Sequence, residues 1–149
     1  MSVHKSMALF VLSAFFTLSA TAQCDKNIKF VTEKVFQVNT DSSEGEGLPV
    51  AGTITFSRDS ISVFMQWQNG ETTQVRASTM EMNCKMSQDF KEGVIDIKSN
   101  ATINAHGKTS NAKMIFNIRS KNGKIKVYAV PENDSDKICF AIKEWQEIK

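Results

Sequence analysis

Apolar side chains between Ala51 and Ala77 recur at every second position. Ile54 and Phe56 are followed by Ile61, Val63, Met65 and Trp67, and then by Val75 and Ala77. Turn residues separate the runs, so the stretch predicts three antiparallel strands, each with one buried face. The turn at Gln68-Asn69-Gly70 can be tested against the pattern. A two-residue loop sets Phe64 opposite Val75 and leaves Met65 facing Gln74. A three-residue loop with Gly70 left-handed sets Val63 opposite Val75 and Ile61 opposite Ala77. That register matches apolar to apolar, so the three-residue form is expected.

The same grammar runs through the rest of the chain. Lys26 to Asn39 alternates loosely and predicts an opening strand bent near Thr32-Glu33. Asn39 to Leu48 has no residues for a core and predicts a mobile loop. At Ser78-Thr79 the alternation changes phase and resumes as Met80, Met82, Cys84 and Met86, which predicts a bulge or corner. Ser87 to Glu92 reads as a polar connection around Phe90. Val94 to Ile103 is a further strand, and Ala105 to Asn111 reads as a loop. Lys113 to Val130 is a hairpin turning at Asn122-Gly123, which places Ile118 opposite Val127 and Phe116 opposite Ala129. Ile138 to Trp145 is the last strand. No helical period occurs in this region. The expected fold is all-β, an antiparallel meander of eight or nine strands forming either a small barrel or a two-layer sandwich.

The first residues follow other rules. Met7 to Leu18 is apolar apart from Ser13 and Thr17, is preceded by His4 and Lys5, and is followed by Ala20-Thr21-Ala22. This is the layout of a secretory signal peptide cut after Ala22, and the run is short of the roughly 20 residues a spanning helix needs. Residues 1–22 are therefore expected to leave as a signal peptide helix. Residues 23–149 would form a single β domain, periplasmic or secreted, with no transmembrane segment. A lipidated Cys24 is the alternative, but that pathway wants a small residue where Gln23 stands.

The formal net charge of the 149-residue chain is +2, and loss of Lys5 lowers it by one. A balance so near neutral does not predict nucleic-acid binding. The three cysteines all lie in the mature part, and an oxidising compartment predicts one bridge and one spare thiol. Three pairings are open. Cys139 lies within the apolar run Ile138 to Ile142 and fits as a small buried hydrophobe. Cys24 and Cys84 have polar neighbours, which favours a Cys24–Cys84 bridge tying down the chain end.

Enzyme chemistry finds little to work with. His106 is the one histidine left in the mature chain and sits beside Gly107 in a loop. Phosphate-binding glycine loops, nucleophile elbows and paired-cysteine zinc spacings are missing from the sequence. No catalytic residues and no cofactor are expected.

Three constellations stand out. Phe56, Phe64, Trp67, Phe116, Phe140 and Trp145 are strand aromatics that could line a barrel cavity for an apolar ligand, or simply fill the core. Met80, Met82, Cys84 and Met86 would place sulfurs along one strand face about 6.8 Å apart. Soft ligands of this kind select Cu(I), although methionine is also an ordinary core filler and a bridged Cys84 could not ligate. The outward face of the Asn122-Gly123 hairpin sets Arg119 opposite Lys126 and Lys121 opposite Lys124. Facing like charges are unfavourable, so the patch would serve either an anionic surface or the solubility of an exposed edge. Two tripeptides add little. Asn100-Ala101-Thr102 fits an N-glycosylation pattern in mid-strand, and Asp59-Ser60-Ile61 fits an O-glycosylation acceptor on a hairpin tip.

Gln-Cys-Asp-Lys-Asn-Ile-Lys at Gln23 to Lys29 resembles the opening of small exported β-rich proteins of unknown function from Gram-negative bacteria. The likeness continues in Cys84 followed by Phe90-Lys91-Glu92-Gly93, in Asn111 to Met114, and in Asn122 to Ile125. The resemblance implies that Cys24 and Cys84 belong together and that Cys139 is peculiar to this chain. Size and strand count are also similar to lipocalin-type barrels. The leading expectation is an exported, non-catalytic barrel that binds a small apolar or amphipathic ligand. The alternative is a structural or interaction protein of the cell envelope that works through its surface. Copper binding through the methionine strand ranks third.

Overall fold

The structure, a computed structural model, describes residues 22–149. The expected leader lies outside the described residues except for Ala22. A short 3-10 turn, Ala22–Asp25, is followed by nine strands: β1 Ile28–Val38, β2 Glu44–Gly47, β3 Val50–Phe56, β4 Ser60–Trp67, β5 Thr72–Met86, β6 Gly93–Ala105, β7 Lys108–Lys121, β8 Lys124–Pro131 and β9 Lys137–Glu147. Strands β3 to β9 form a meander in chain order, with β1 beside β3. Pairing of β1 with β9, from Ile28↔Glu147 to Val38↔Lys137, closes an eight-stranded antiparallel barrel. Closure removes the sheet edges that a sandwich would have to protect. The short β2 lies outside the barrel and pairs only with the end of β1.

The predicted registers hold. Val63 faces Val75 and Ile61 faces Ala77, with Gly70 left-handed at φ 86°. Ile118 faces Val127 and Phe116 faces Ala129 across a turn in which Asn122 and Gly123 both have positive φ. The bend in β1 is a bulge around Thr32 to Lys34. There the Thr32 hydroxyl donates to the Gly52 carbonyl and accepts from the Gly52 amide, each at 2.9 Å, so the gap beside β3 stays hydrogen-bonded.

Two expected loops are strand instead. Glu44–Gly47 pairs with β1, because the Asp41 side chain caps a tight turn at Ser43 and sends the chain back along the strand it has just left. Ala105 to Asn111 is a continuous hairpin through His106-Gly107, both left-handed, with Asn104↔Thr109 and Ala105↔Lys108 paired. Residues Lys108 to Asn111 are exposed, so this end of the hairpin carries no apolar alternation to read.

Inside the barrel, Ile28, Phe30, Ile54, Phe56, Ile61, Ile95, Ile97, Phe116 and Ile118 are fully buried. Each contributes about 1.5–3 kcal/mol through removal from water. The lower mouth is sealed by the Ser87 to Glu92 connection, which turns Phe90 into the core at φ 53°. Its ring meets Phe30 edge-on at 5.6 Å and Trp145 at 4.8 Å. The Cys24–Cys84 disulfide, with Cα atoms 6.4 Å apart, ties the N-terminal turn to the lower half of β5 at the same end.

Candidate functional site

The six strand aromatics do not converge. Phe56, Phe116 and Phe140 are 0%, 0% and 2% exposed. Rings lining an open ligand cavity would keep exposed surface, so these three are core. Phe64 points outward, facing Thr53 and Gln74 on its neighbours, and is 43% exposed. Trp67 is half-buried at the upper rim, where its indole N–H donates to the Thr73 hydroxyl at 3.0 Å. Trp145 leans on Phe90 at the lower rim and is 36% exposed. Three fill the interior, two sit at opposite ends, and one lies outside.

The four-sulfur strand face is also divided. The bulge predicted at Ser78-Thr79 lies between Thr79 and Glu81, and its extra residue is Met80. The insertion turns Met80 outward, 60% exposed, whereas Met86 is buried at 3%. Cys84 is bonded to Cys24 and has no thiolate to offer. Four sulfurs on one face is therefore corrected to Met82, Cys84 and Met86 inward and Met80 outward.

Cys139 is unbonded and fully buried, but not among the barrel core side chains. It lies between Phe36 of β1 and Tyr128 of β8 on the outer side of the wall, close to β2. Burial pushes its thiol up to about 11, and the nearby Lys126 charge offsets only part of that. Tyr128 is raised chiefly by burial and then by Cys139. Such a thiol is a poor nucleophile at neutral pH. His106 is exposed in its turn, with Nδ1 2.7 Å from Glu71 Oε2.

The basic hairpin does assemble into a site. Arg119 faces Lys126 and Lys121 faces Lys124, as the Asn-Gly register requires. All four side chains line one groove of about 440 Å³ on the outer wall, floored by Val94 and Gly93 of β6. Pairing extends the cationic row across the strands. Lys85 faces Val94, Val94 faces Arg119, Arg119 faces Lys126, and Lys126 faces Ala141. No carboxylate among the described residues lies within ion-pair distance of Lys85, Arg119, Lys121, Lys124 or Lys126. The nearest polar row above binds itself, because the Asn117 amide donates to Asp96 at 2.7 Å.

The hairpin is held from below. The Gly123 amide donates to the Lys91 carbonyl at 3.0 Å, and the Asn122 amide donates to Glu92 Oε1 at 2.8 Å. The Ser120 hydroxyl, buried, donates to the Phe90 carbonyl. The connection that plugs the barrel thus also fixes the tip of the basic hairpin. Gly93, at φ 137°, lets β6 start directly beneath it, since a Cβ there would stand 2.6 Å from the Met86 Cα.

Sequence reasoning found the four hairpin cations but missed Val94, Gly93 and Lys85. Val94 and Gly93 are placed by the β6–β7 register, which the two-residue turn at His106-Gly107 sets, and Lys85 by the β5–β6 register across the Ser87 to Glu92 connection. A second recess of about 190 Å³ adjoins the groove and shares Arg119; Asn117, Tyr128, Lys137 and Ser42 line it. Comparison of the chain with protein-family models, with curated proteins and with solved structures finds no match.

Proposed function

We propose that this protein is an exported, non-catalytic binding module of the cell envelope that engages an anionic partner through the outer wall of β7 and β8. One observation carries the reading: an unpaired cluster of cations sits on adjacent strands around a groove, in a chain of nearly neutral charge. Facing like charges cost stability. The cost has no structural return, because none of these side chains joins a carboxylate or packs into the core. Solubility would be served equally well by cations paired with carboxylates, as at Lys26–Glu147, Arg58–Asp25 and Lys98–Glu81. The filled barrel interior directs attention to the same wall. Export is supported by the leader pattern and agrees with a disulfide.

Two measurements on protein purified from its own host test the reading. Native mass spectrometry should give the bare mass of residues 23–149 with one disulfide, and the protein should be retained on an anionic matrix and released by salt. A small apolar molecule bound stoichiometrically, or indifference to the matrix at low salt, would refute it.

A further inference from the structure

We infer that the partner is a linear chain of acidic sugars, bearing carboxylates, which lies along the β7–β8 wall; this rests on the reading of that wall as the functional face. The shape is the first argument. The lower groove and the upper recess share one lining residue, Arg119, which sets them end to end as a track along the wall. It follows the strand pair from Lys121/Lys124 to Asn117/Tyr128. Four residues of strand span about 14 Å, the reach of a short oligomer rather than of a single ion.

The order of chemistry along the track is the second argument. Two rungs of cations, Lys121/Lys124 and Arg119/Lys126, are set about 6.8 Å apart, matching repeated charges on one chain. Arg119 stands at the junction and can take a carboxylate bidentately. Beyond it comes Tyr128, half-buried, with Lys137 Nζ over its ring at 5.5 Å, and then the Ser42 hydroxyl and Asn117, whose amide N–H is held by Asp96 and whose Oδ1 is left to accept. A tyrosine carrying a cation over its ring, beside hydroxyl and amide groups, suits a sugar that bears both hydroxyls and a carboxylate. A bare polyanion needs only the cations.

The third argument concerns the competitors. A bilayer surface is held firmly when charge is joined by inserted apolar side chains. Among the described residues the exposed large apolar side chains are Phe64, Met80 and Trp145, and none of them lines the track. The hairpin tip, Asn122-Gly123, has nothing to insert. Single-stranded nucleic acid is bound by successive stacking platforms, and this track has one aromatic.

The test titrates the mature protein with a defined oligogalacturonate. The comparators are a neutral oligosaccharide of equal length, inorganic polyphosphate and phosphatidylglycerol vesicles. The variants are R119E/K126E, Y128L, and K108E/K113E, which makes the same charge change elsewhere on β7. The oligogalacturonate should bind and the neutral chain should not. R119E/K126E should weaken binding about tenfold or more, and K108E/K113E only slightly. The slope of log affinity against log salt should fall by about one for each cation removed from the track. Y128L should weaken the sugar but leave any polyphosphate binding unchanged, and the melting curves of all variants should show that they fold. Vesicles or polyphosphate bound as tightly as the uronate, with no dependence on Tyr128, would overturn the sugar assignment and leave the outer wall as an anion-binding face. No binding to any anionic probe, or equal loss in the two charge variants, would overturn both.

Discussion

Replacing Phe90 by alanine is the sharpest probe of how the barrel is built. The ring is 0% exposed and occupies the lower mouth, against Phe30 at 5.6 Å and Trp145 at 4.8 Å. Buried Phe→Ala changes cost about 3–5 kcal/mol from lost transfer energy and the cavity left behind. The aromatic contacts with Phe30 and Trp145 account for about 0.5–1.5 kcal/mol of such a loss per pair. This site lies at a barrel end, where water can refill part of the space, so a value near 3 kcal/mol is expected. Against the usual 5–15 kcal/mol of total stability, that is a large share. In urea, with m about 1.5 kcal/mol/M, the midpoint should fall by about 2 M at unchanged m. Trp145 fluorescence follows the transition from the site itself. Hydrogen exchange adds a local readout: the Asn122 and Gly123 amides, held by Glu92 and Lys91, should lose protection before the centres of β6 and β7 do. The exposed Phe64→Ala serves as reference and should cost under about 1 kcal/mol. A Phe90→Ala loss of that same small size, with hairpin exchange unchanged, would show that the ring neither seals the barrel nor positions the hairpin.

Three further outcomes are expected. The double change Cys24→Ser/Cys84→Ser opens a loop of 60 residues and should lower stability by up to about 4 kcal/mol, read from denaturation with and without reductant; no change would mean that the chain end is held by other contacts. Gly93→Ala combines a backbone at φ 137° with a Cβ against the Met86 backbone and should cost about 3 kcal/mol or more. Gly107→Ala, with φ 72° in open space, should cost only about 1 kcal/mol, so equal melting temperatures would count against the close approach. Cys139 should resist alkylation until the protein unfolds. Its folded value of about 11 exceeds the ordinary 9.0, so its contribution to stability is complete below pH 9 and is lost as pH rises toward 11; Cys139→Ala should remove that alkaline loss, as urea titrations at stepped pH would show.

Much of this architecture is legible in the residues. Period-two alternation and turn chemistry are local properties, and they predict the registers at Gly70 and at Asn122-Gly123 rung by rung. The same alternation locates the β1 and β5 bulges, because an inserted residue must shift the phase. Local signals fail where a segment is stabilised by something distant. Glu44–Gly47 has no apolar face and becomes strand only because the free edge at the end of β1 lies beside it. Phe90 looks like an isolated aromatic in a polar connection, and its role depends on Phe30 and Trp145, which are 60 and 55 residues away in sequence.

The candidate site divides in the same way. The cations facing one another on the Asn122-Gly123 hairpin follow from one turn type. The sulfur face does not survive as a single group, since a bulge turns Met80 over, and of the two readings of the aromatics the inward-facing rings follow core filling. The sequence alone determined which residues alternate, where the chain reverses and which cations oppose each other, because those depend on neighbours a few bonds away. Only the tertiary structure decided that the meander closes through β1 and β9, that Phe90 seals it, and that the cations border a groove. Closure, plugging and concavity arise when distant strands meet, and burial rewards that meeting without any one segment recording it.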